Sequence, residues 1–278
     1  MLDVRDLRIS YGQVPVVRGV SFALGREKLG IVGESGAGKS TVGRAVMRLL
    51  PPGARVAAER MRFEDTDLLT APEARMEKLR GRRVGLVMQD PRYALNPVIP
   101  VGEQIAEAWR LHHPGRAAAR EARDRTLAML QSVQIRDPAR VARLYPHEVS
   151  GGMGQRVAVA MALIAGPALL IADEPTSALD VTVRLEVLSL LDALIAERGL
   201  SLMFISHDLN LVRRFCDRVL IMYAGRVVET LPAAALDRAE HPYTRGLLAS
   251  LPSIHRPLPR LPVLRRDPAW AAAPASVR

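Results

Sequence analysis

Gly33-Glu34-Ser35-Gly36-Ala37-Gly38-Lys39-Ser40 satisfies the pattern G-x-x-x-x-G-K-[ST], and each fixed position has a chemical reason if the ligand is a polyphosphate. Glycines let backbone N–H groups wrap an anion along a path that side chains would block. A helix beginning where the loop ends directs its positive end at the same point. Gly33, Ser35, Gly36 and Gly38 shape that cradle, Lys39 reaches the β- and γ-phosphates, the Ser40 hydroxyl is a hard ligand for Mg²⁺, and Thr41 offers a further phosphate contact. A second constellation is Leu169-Leu170-Ile171-Ala172-Asp173-Glu174, an apolar run ending in two acids. In phosphoryl transfer an acid at a strand end holds Mg²⁺, often through water, and a neighbouring carboxylate polarises the attacking water. Asp173 takes the first role and Glu174 the second.

These residues need particular elements behind them. The first 32 residues alternate short β-rich runs (7–9, 14–22, 29–32) with turn residues such as Gly12, Gly19 and Gly25, which predicts strands. The last run leads into the loop, and 40–50 predicts a helix that Pro51-Pro52 ends. Residues 84–88, 169–172 and 202–205 are further short apolar runs, and 181–198 has a helical pattern. Residues 101–143, rich in Ala, Arg, Glu and Leu, predict a helical insertion. Apolar strands alternating with helices argue a mainly parallel sheet covered by helices.

Composition narrows the class further. The 278 residues carry a net charge of +10, and only Lys28, Lys39 and Lys78 among the 39 basic residues are lysines. The excess is thus arginine, which bears on partners and not on fold. A lone cysteine, Cys216, excludes an intramolecular disulfide and any Cys-rich metal or iron–sulfur site. The N-terminus has no apolar run suited to a signal peptide, and the longest uncharged apolar stretch, 157–172, is too short and too broken by Gly166-Pro167 to span a bilayer. The chain is therefore expected to be soluble, with any membrane role peripheral. Residues 251–278 hold six prolines and five arginines against one acid and predict a poorly packed tail.

Between the loop and the acidic strand, Val149-Ser150-Gly151-Gly152-Met153-Gly154-Gln155-Arg156 closely resembles the signature of ATP-binding cassette (ABC) ATPases. The rest of that family's set occurs in order. Tyr11 stands where an aromatic stacks on adenine, Gln89 matches the Q-loop, Ser177-Ala178-Leu179-Asp180 the D-loop, and His207 the switch histidine. Residues 89–97 (Gln-Asp-Pro-Arg-Tyr-Ala-Leu-Asn-Pro), Met153, and His241-Pro242-Tyr243-Thr244 followed by Leu247-Leu248 are similar to the peptide and nickel importer branch.

The resemblance implies an α/β fold: a P-loop NTPase (RecA-like) core over 1–88 and 158–232 with an N-terminal antiparallel β region, an inserted α-helical signature subdomain over 89–157, and a C-terminal extension over 233–278. It implies ATP and Mg²⁺ as cofactors. Glu174, His207 and Gln89 act in catalysis, Ser40, Gln89 and Asp173 serve Mg²⁺, and Ser150, Gly151, Gly152 and Met153 contact the ATP of the opposite subunit in a head-to-tail dimer. Asp180 communicates across it. The implied partners are a second ABC ATPase subunit, either a paralogue or an identical chain, two permease subunits that dock near Tyr93 to Pro100, and an extracytoplasmic solute-binding protein. The implied location is the cytoplasmic face of the inner membrane, and no nucleic acid is expected. The solute is a di- or oligopeptide, with nickel or a metal chelate as the alternative. A DNA-associated ABC ATPase is disfavoured, because the stretch between Ser40 and Val149 has neither sustained heptads nor cysteine pairs. Three positions depart from the pattern: Val149 for Leu, Arg26 for a turn glycine, and Gly154 for Arg, which removes a charge beside the signature.

Overall fold

The computed structural model describes residues 1–251, 264 and 267–271, so most of the tail discussed above lies outside the described residues. The chain gathers into two compact units, Met1–Ala71 with Met203–Arg278, and Pro72–Leu202.

The first unit opens with β1 (Leu2–Tyr11) and β2 (Val14–Leu24), an antiparallel pair running from Leu2 opposite Leu24 to Tyr11 opposite Val14. Leu2, Val4, Leu7 and Ile9 are buried, so the period of two slips once between Val4 and Leu7. The slip is a bulge at Asp6, which has φ +47° and whose carboxylate takes two hydrogen bonds from Arg8 at 2.9 and 2.8 Å. The bulge absorbs one residue and returns Leu7 and Ile9 to the core face. After β3 (Lys28–Val32) and the glycine loop comes α1 (Lys39–Val46). This helix stops well before Pro51-Pro52. Arg48 turns left-handed at φ +52°, its N–H bonds the Ala45 carbonyl and the Leu49 N–H bonds the Arg44 carbonyl, both at 2.9 Å. That is a Schellman end, and the prolines are not what terminates the helix. Strands β4 (Ala54–Ala57) and β5 (Arg60–Phe63) both pair antiparallel with β1, and β6 (Thr66–Asp67) pairs with β5, extending the N-terminal antiparallel region past the runs read from sequence.

The second unit contains α2 (Glu73–Leu79), β7 (Val84–Val87), α3 (Pro91–Ala94), α4 (Val101–His112), α5 (Arg116–Ser132), α6 (Pro138–Val141), α7 (Gly151–Leu163), β8 (Leu169–Asp173) and α8 (Val181–Arg198). Strands β7 and β8 are parallel, Val84 opposite Leu169 through Val87 opposite Ala172. The helical insertion is thus three helices. Pro114 and Gly115, the latter at φ +118°, separate α4 from α5, and Gln134 at φ +59° follows α5. At the start of α4 a Cβ on Gly102 would lie 2.6 Å from the Ala142 carbonyl oxygen, and this glycine lets α4 lie on the Ala142 backbone, where its N–H bonds that oxygen at 3.0 Å.

The chain returns to the first unit within β9 (Ser201–Ser206), followed by α9 (Leu209–Phe215), β10 (Arg218–Tyr223), β11 (Arg226–Pro232) and α10 (Pro242–Ala249). Here the strand order is β11-β10-β3-β9, with β10 parallel to β3 and antiparallel to β11. Helix α9 packs on β3 at Gly30, where Val212 Cγ1 fills the place of a side chain and Cys216 Sγ lies 3.2 Å from the position a Cβ would take. Burial pushes the Cys216 thiol up to about 12, so it behaves as a small apolar group. Gly30→Ala must displace Val212 in a fully packed layer. We expect a loss of about 1–3 kcal/mol of stability, read as a lower urea midpoint.

Candidate functional site

In the first unit the loop between β3 and α1 is shaped by what touches it. Gly33 has no room for a Cβ against the Met222 carbonyl oxygen of β10. A Cβ on Gly38 would lie 2.9 Å from the Val16 carbonyl oxygen of β2, and Gly36 and Gly38 have φ +82° and +92°. These backbone angles favour glycine. Lys39 is 5% exposed, and its ammonium donates to the Gly33 carbonyl at 2.9 Å and the Glu34 carbonyl at 3.0 Å. The loop has therefore closed around its own lysine. Ser35 and Gly36 at its tip are exposed, and Ser40 and Thr41 in the first turn of α1 are half-buried. That turn carries no acid, which leaves the positive end of the helix uncompensated by a carboxylate of its own first turn.

Two supports of this loop escaped the sequence reading. The tight turn between β10 and β11 places Ala224 and Gly225 at φ +47° and +81°, and the Gly225 N–H donates to the Ala37 carbonyl at 3.2 Å. Its carbonyl accepts from the Arg18 N–H of β2 at 2.7 Å. The Ala-Gly dipeptide between two apolar runs was the available signal. The second support is Tyr243 of α10, whose hydroxyl accepts the Glu34 N–H at 3.1 Å. Tyr11 ends β1 half-exposed, paired with Val14 and Ala54. His207 is exposed immediately after β9. The residue after it, Asp208, caps α9 by accepting the Leu211 N–H at 3.1 Å.

The second unit holds the other predicted residues. Asp173 ends β8 with 7% exposure. Glu174 follows at φ +47°, a left-handed conformation that a glutamate rarely adopts, and its carbonyl accepts from both the N–H and the hydroxyl of Ser177 at 3.2 and 3.1 Å. The reversal swings the chain away from the strand at the residue expected to meet water. Gln89 is exposed beyond the end of β7. Asp90 caps α3 and is gripped by the Arg92 guanidinium at 2.7–3.1 Å, which holds its carboxyl below the usual range. Beyond it, Tyr93 and Val98 are 83% and 75% exposed. The backbone between them and α4 is tied down by buried Gln104, which accepts from the Asn96 N–H at 2.9 Å and donates to the carbonyls of Asn96 and Ile99 at 2.9 and 2.7 Å. Nothing in the sequence singled out Gln104.

Ser150 caps α7, its hydroxyl accepting the Met153 N–H at 3.3 Å, so Ser150, Gly151 and Gly152 do form a helix start. A Cβ on Gly151 would make ordinary contact with Leu179 Cδ2 at 3.9 Å, whereas one on Gly152 would lie 2.6 Å from Val183 Cγ1. Asp180 caps α8, accepting the N–H groups of Thr182 and Val183 at 3.1 and 3.0 Å. Arg156, one turn beyond Gly152 along α7, bonds the Val133 carbonyl, the Gln134 side chain and Glu186 of α8 at 2.8–3.2 Å. A cavity of about 600 Å³ lies beside the signature, walled by Pro91, Leu95, Pro146, Val149, Gly154 and Leu179. Among the described residues no three His, Cys, Asp or Glu side chains gather to hold a metal. No described helix is long and apolar enough to cross a membrane.

A glycine loop running from a parallel strand into a helix, with a second strand ending in two carboxylates, defines the class of P-loop nucleotide-binding proteins. Comparison with known proteins narrows this. The family model described as "ABC transporter" matches residues 17–177. A probable peptide ABC transporter ATP-binding protein of Sinorhizobium fredii is 47% identical over 92% of this chain and 78% of its own length. The dipeptide transport ATP-binding protein DppD of Haemophilus influenzae is 44% identical over 95% of this chain and 82% of its own. The dimeric post-hydrolysis structure of the ATP-binding cassette MJ0796 with ADP and Pi superposes with a TM-score of 0.74 at 26% identity, covering 84% of this chain and 99% of that one. The chain belongs to the ABC transporter family. It is an ATP-binding ATPase subunit with the P-loop fold, N-terminal β region and helical subdomain of that family's cassettes.

Gly154, the departure beside the signature, occupies a roomy position. A Cβ there would meet Pro91 at 3.6 Å and Val149 at 3.8 Å, ordinary contact distances. Gly154→Ala should therefore raise stability by about 0.5–1 kcal/mol through helix propensity alone, measured by denaturant unfolding.

Proposed function

We propose that this chain is the ATP-hydrolysing subunit of an importer that takes up di- or oligopeptides, coupling nucleotide binding and hydrolysis to transport through membrane permeases. The observation that carries its nucleotide-binding half is the loop closed on buried Lys39, an ammonium held by the Gly33 and Glu34 carbonyls. The peptide names of the relatives favour peptides over nickel as the solute. In this reading residues 1–88 and 158–232 serve as the ATP-binding core, 89–157 as the signature subdomain and 233–278 as an extension.

The roles follow the chemistry of each group. Lys39 leaves the Gly33 and Glu34 carbonyls for the β- and γ-phosphates, while loop N–H groups and Thr41 meet the remaining phosphate oxygens and Tyr11 stacks on adenine. The Ser40 hydroxyl and Asp173 carboxylate, with Gln89, are hard oxygen donors suited to Mg²⁺. Mg²⁺ keeps several waters and the phosphates in its shell and so asks for few protein ligands. When bound, that ion supplies charge neutralisation on the phosphates. Glu174 accepts a proton from the attacking water, oriented by the reversed backbone at its own position, and His207 hydrogen-bonds the γ-phosphate or that water. Ser150, Gly151, Gly152 and Met153 offer a helix start to the ATP of an apposed second subunit, a paralogue or an identical chain, with Asp180 at that contact. Tyr93 and Val98 present the surface for one of two permeases served by a solute-binding protein. The +10 charge suits the cytoplasmic face of an anionic inner membrane better than nucleic acid.

Glu174→Gln should keep ATP binding and abolish turnover in the purified, assembled transporter; turnover like that of the unsubstituted protein contradicts the base assignment. Lys39→Ala should remove ATP affinity by equilibrium titration, and unchanged binding contradicts the cradle.

A further inference from the structure

Tyr243 is fully buried, yet its phenol is more than core filling. The Glu34 N–H that it accepts at 3.1 Å belongs to the same peptide unit as the Gly33 carbonyl, which takes the Lys39 ammonium at 2.9 Å. One peptide plane is thus gripped at both edges, by a hydroxyl and by a cation. Hydrogen bonds on opposite edges of an amide polarise one another, and fixing the plane fixes the direction of the carbonyl. The lysine takes its resting position from that carbonyl.

The phenol is itself held by several contacts. His241 Nδ1 accepts the Tyr243 N–H at 3.2 Å, and Glu229 accepts the N–H groups of Glu240 and His241 at 2.7 and 3.3 Å, which anchors the start of α10. The Tyr243 ring lies 4.6 Å from that of Tyr223 in β10. Trp270 completes the cluster at 5.9 Å from Tyr223 and 6.0 Å from both Tyr243 and His241. Leu264 covers α10 at Gly246 so closely that a Cβ there has no room. Two described residues of the C-terminal segment therefore pack on the helix that carries the phenol.

We propose that Tyr243 is a positioning residue for the phosphate loop, and that the C-terminal segment bearing Leu264 and Trp270 tunes nucleotide affinity through it. The proposal rests on the reading of the loop as the ATP cradle. In it, the Gly33–Glu34 peptide stays oriented when Lys39 turns to the phosphates, because Tyr243 still holds the N–H edge.

The test titrates the full chain with a methylanthraniloyl derivative of ATP and follows the Glu34 amide resonance by NMR. Tyr243→Phe keeps the ring and drops the hydrogen bond to the Glu34 N–H. It should weaken binding about threefold to tenfold and shift the Glu34 resonance, with the unfolding midpoint monitored in parallel. Trp270→Ala leaves the phenol in place and should weaken binding by a smaller factor. In a Trp109→Phe background Trp270 is the sole tryptophan, and its emission should respond to ATP when Tyr243 is present and not in Tyr243→Phe. Unchanged affinity in Tyr243→Phe, with the unsubstituted chain binding and Lys39→Ala not binding, overturns the positioning role and leaves the cradle standing. So does weakened affinity with an unmoved Glu34 resonance. If Tyr243→Phe does not fold, Trp270→Ala decides alone, and unchanged affinity there overturns the role of the tail. Failure of the unsubstituted chain to bind the nucleotide overturns the cradle itself.

Discussion

A buried ammonium sets the terms for the first unit. Taking the Lys39 charge out of water is unfavourable unless hydrogen-bonding partners surround it, and the Gly33 and Glu34 carbonyls supply two. For a lysine at the start of α1 to reach carbonyls five and six residues back, the loop must fold over it. That demands left-handed backbone at Gly36 and Gly38 and contact at van der Waals distance with neighbouring strands at Gly33 and Gly38. The strands must then bring their carbonyls, not side chains, to those points, which Met222 of β10 and Val16 of β2 do. The order β11-β10-β3-β9 follows the same requirement, since it sets β10 and its turn to Gly225 beside the strand that feeds the loop.

Much of this was legible in the residues. Glycine spacing, one lysine among so few, and apolar runs before each chemical group located the loop, Asp173 and the helix at 181–198, and resemblance to a family located the signature. Those signals are local, carried by consecutive residues whose types have few alternative uses. What stayed hidden was tertiary. Gln104 reads as an ordinary amide in a helix, and only the fold shows it threading the carbonyls of Asn96 and Ile99. Tyr243 lies 209 positions from the peptide it bonds. The end of α1 was misjudged for a different reason. Pro51-Pro52 is a strong stop signal, and a left-handed arginine earlier in the chain is not one that sequence propensity announces.

The glycines separate into two kinds. Gly30, Gly33, Gly38 and Gly152 each face an atom that a side chain would strike, so their identity is dictated by neighbours. Gly154 faces ordinary space beside the cavity, and nothing in its surroundings requires it. Its neighbour Arg156 keeps the basic charge of this helix turned toward Gln134 and Glu186.

The amide of Gln104 has a consequence for recognition. By spending its donors and acceptor on the backbone of 96–99, it makes the stretch carrying Val98 a fixed surface and not a floppy loop. Whatever docks there meets groups whose conformational freedom was surrendered during folding. The entropy of ordering that stretch is then no part of the association free energy, and the contact can be small and readily reversible while remaining selective.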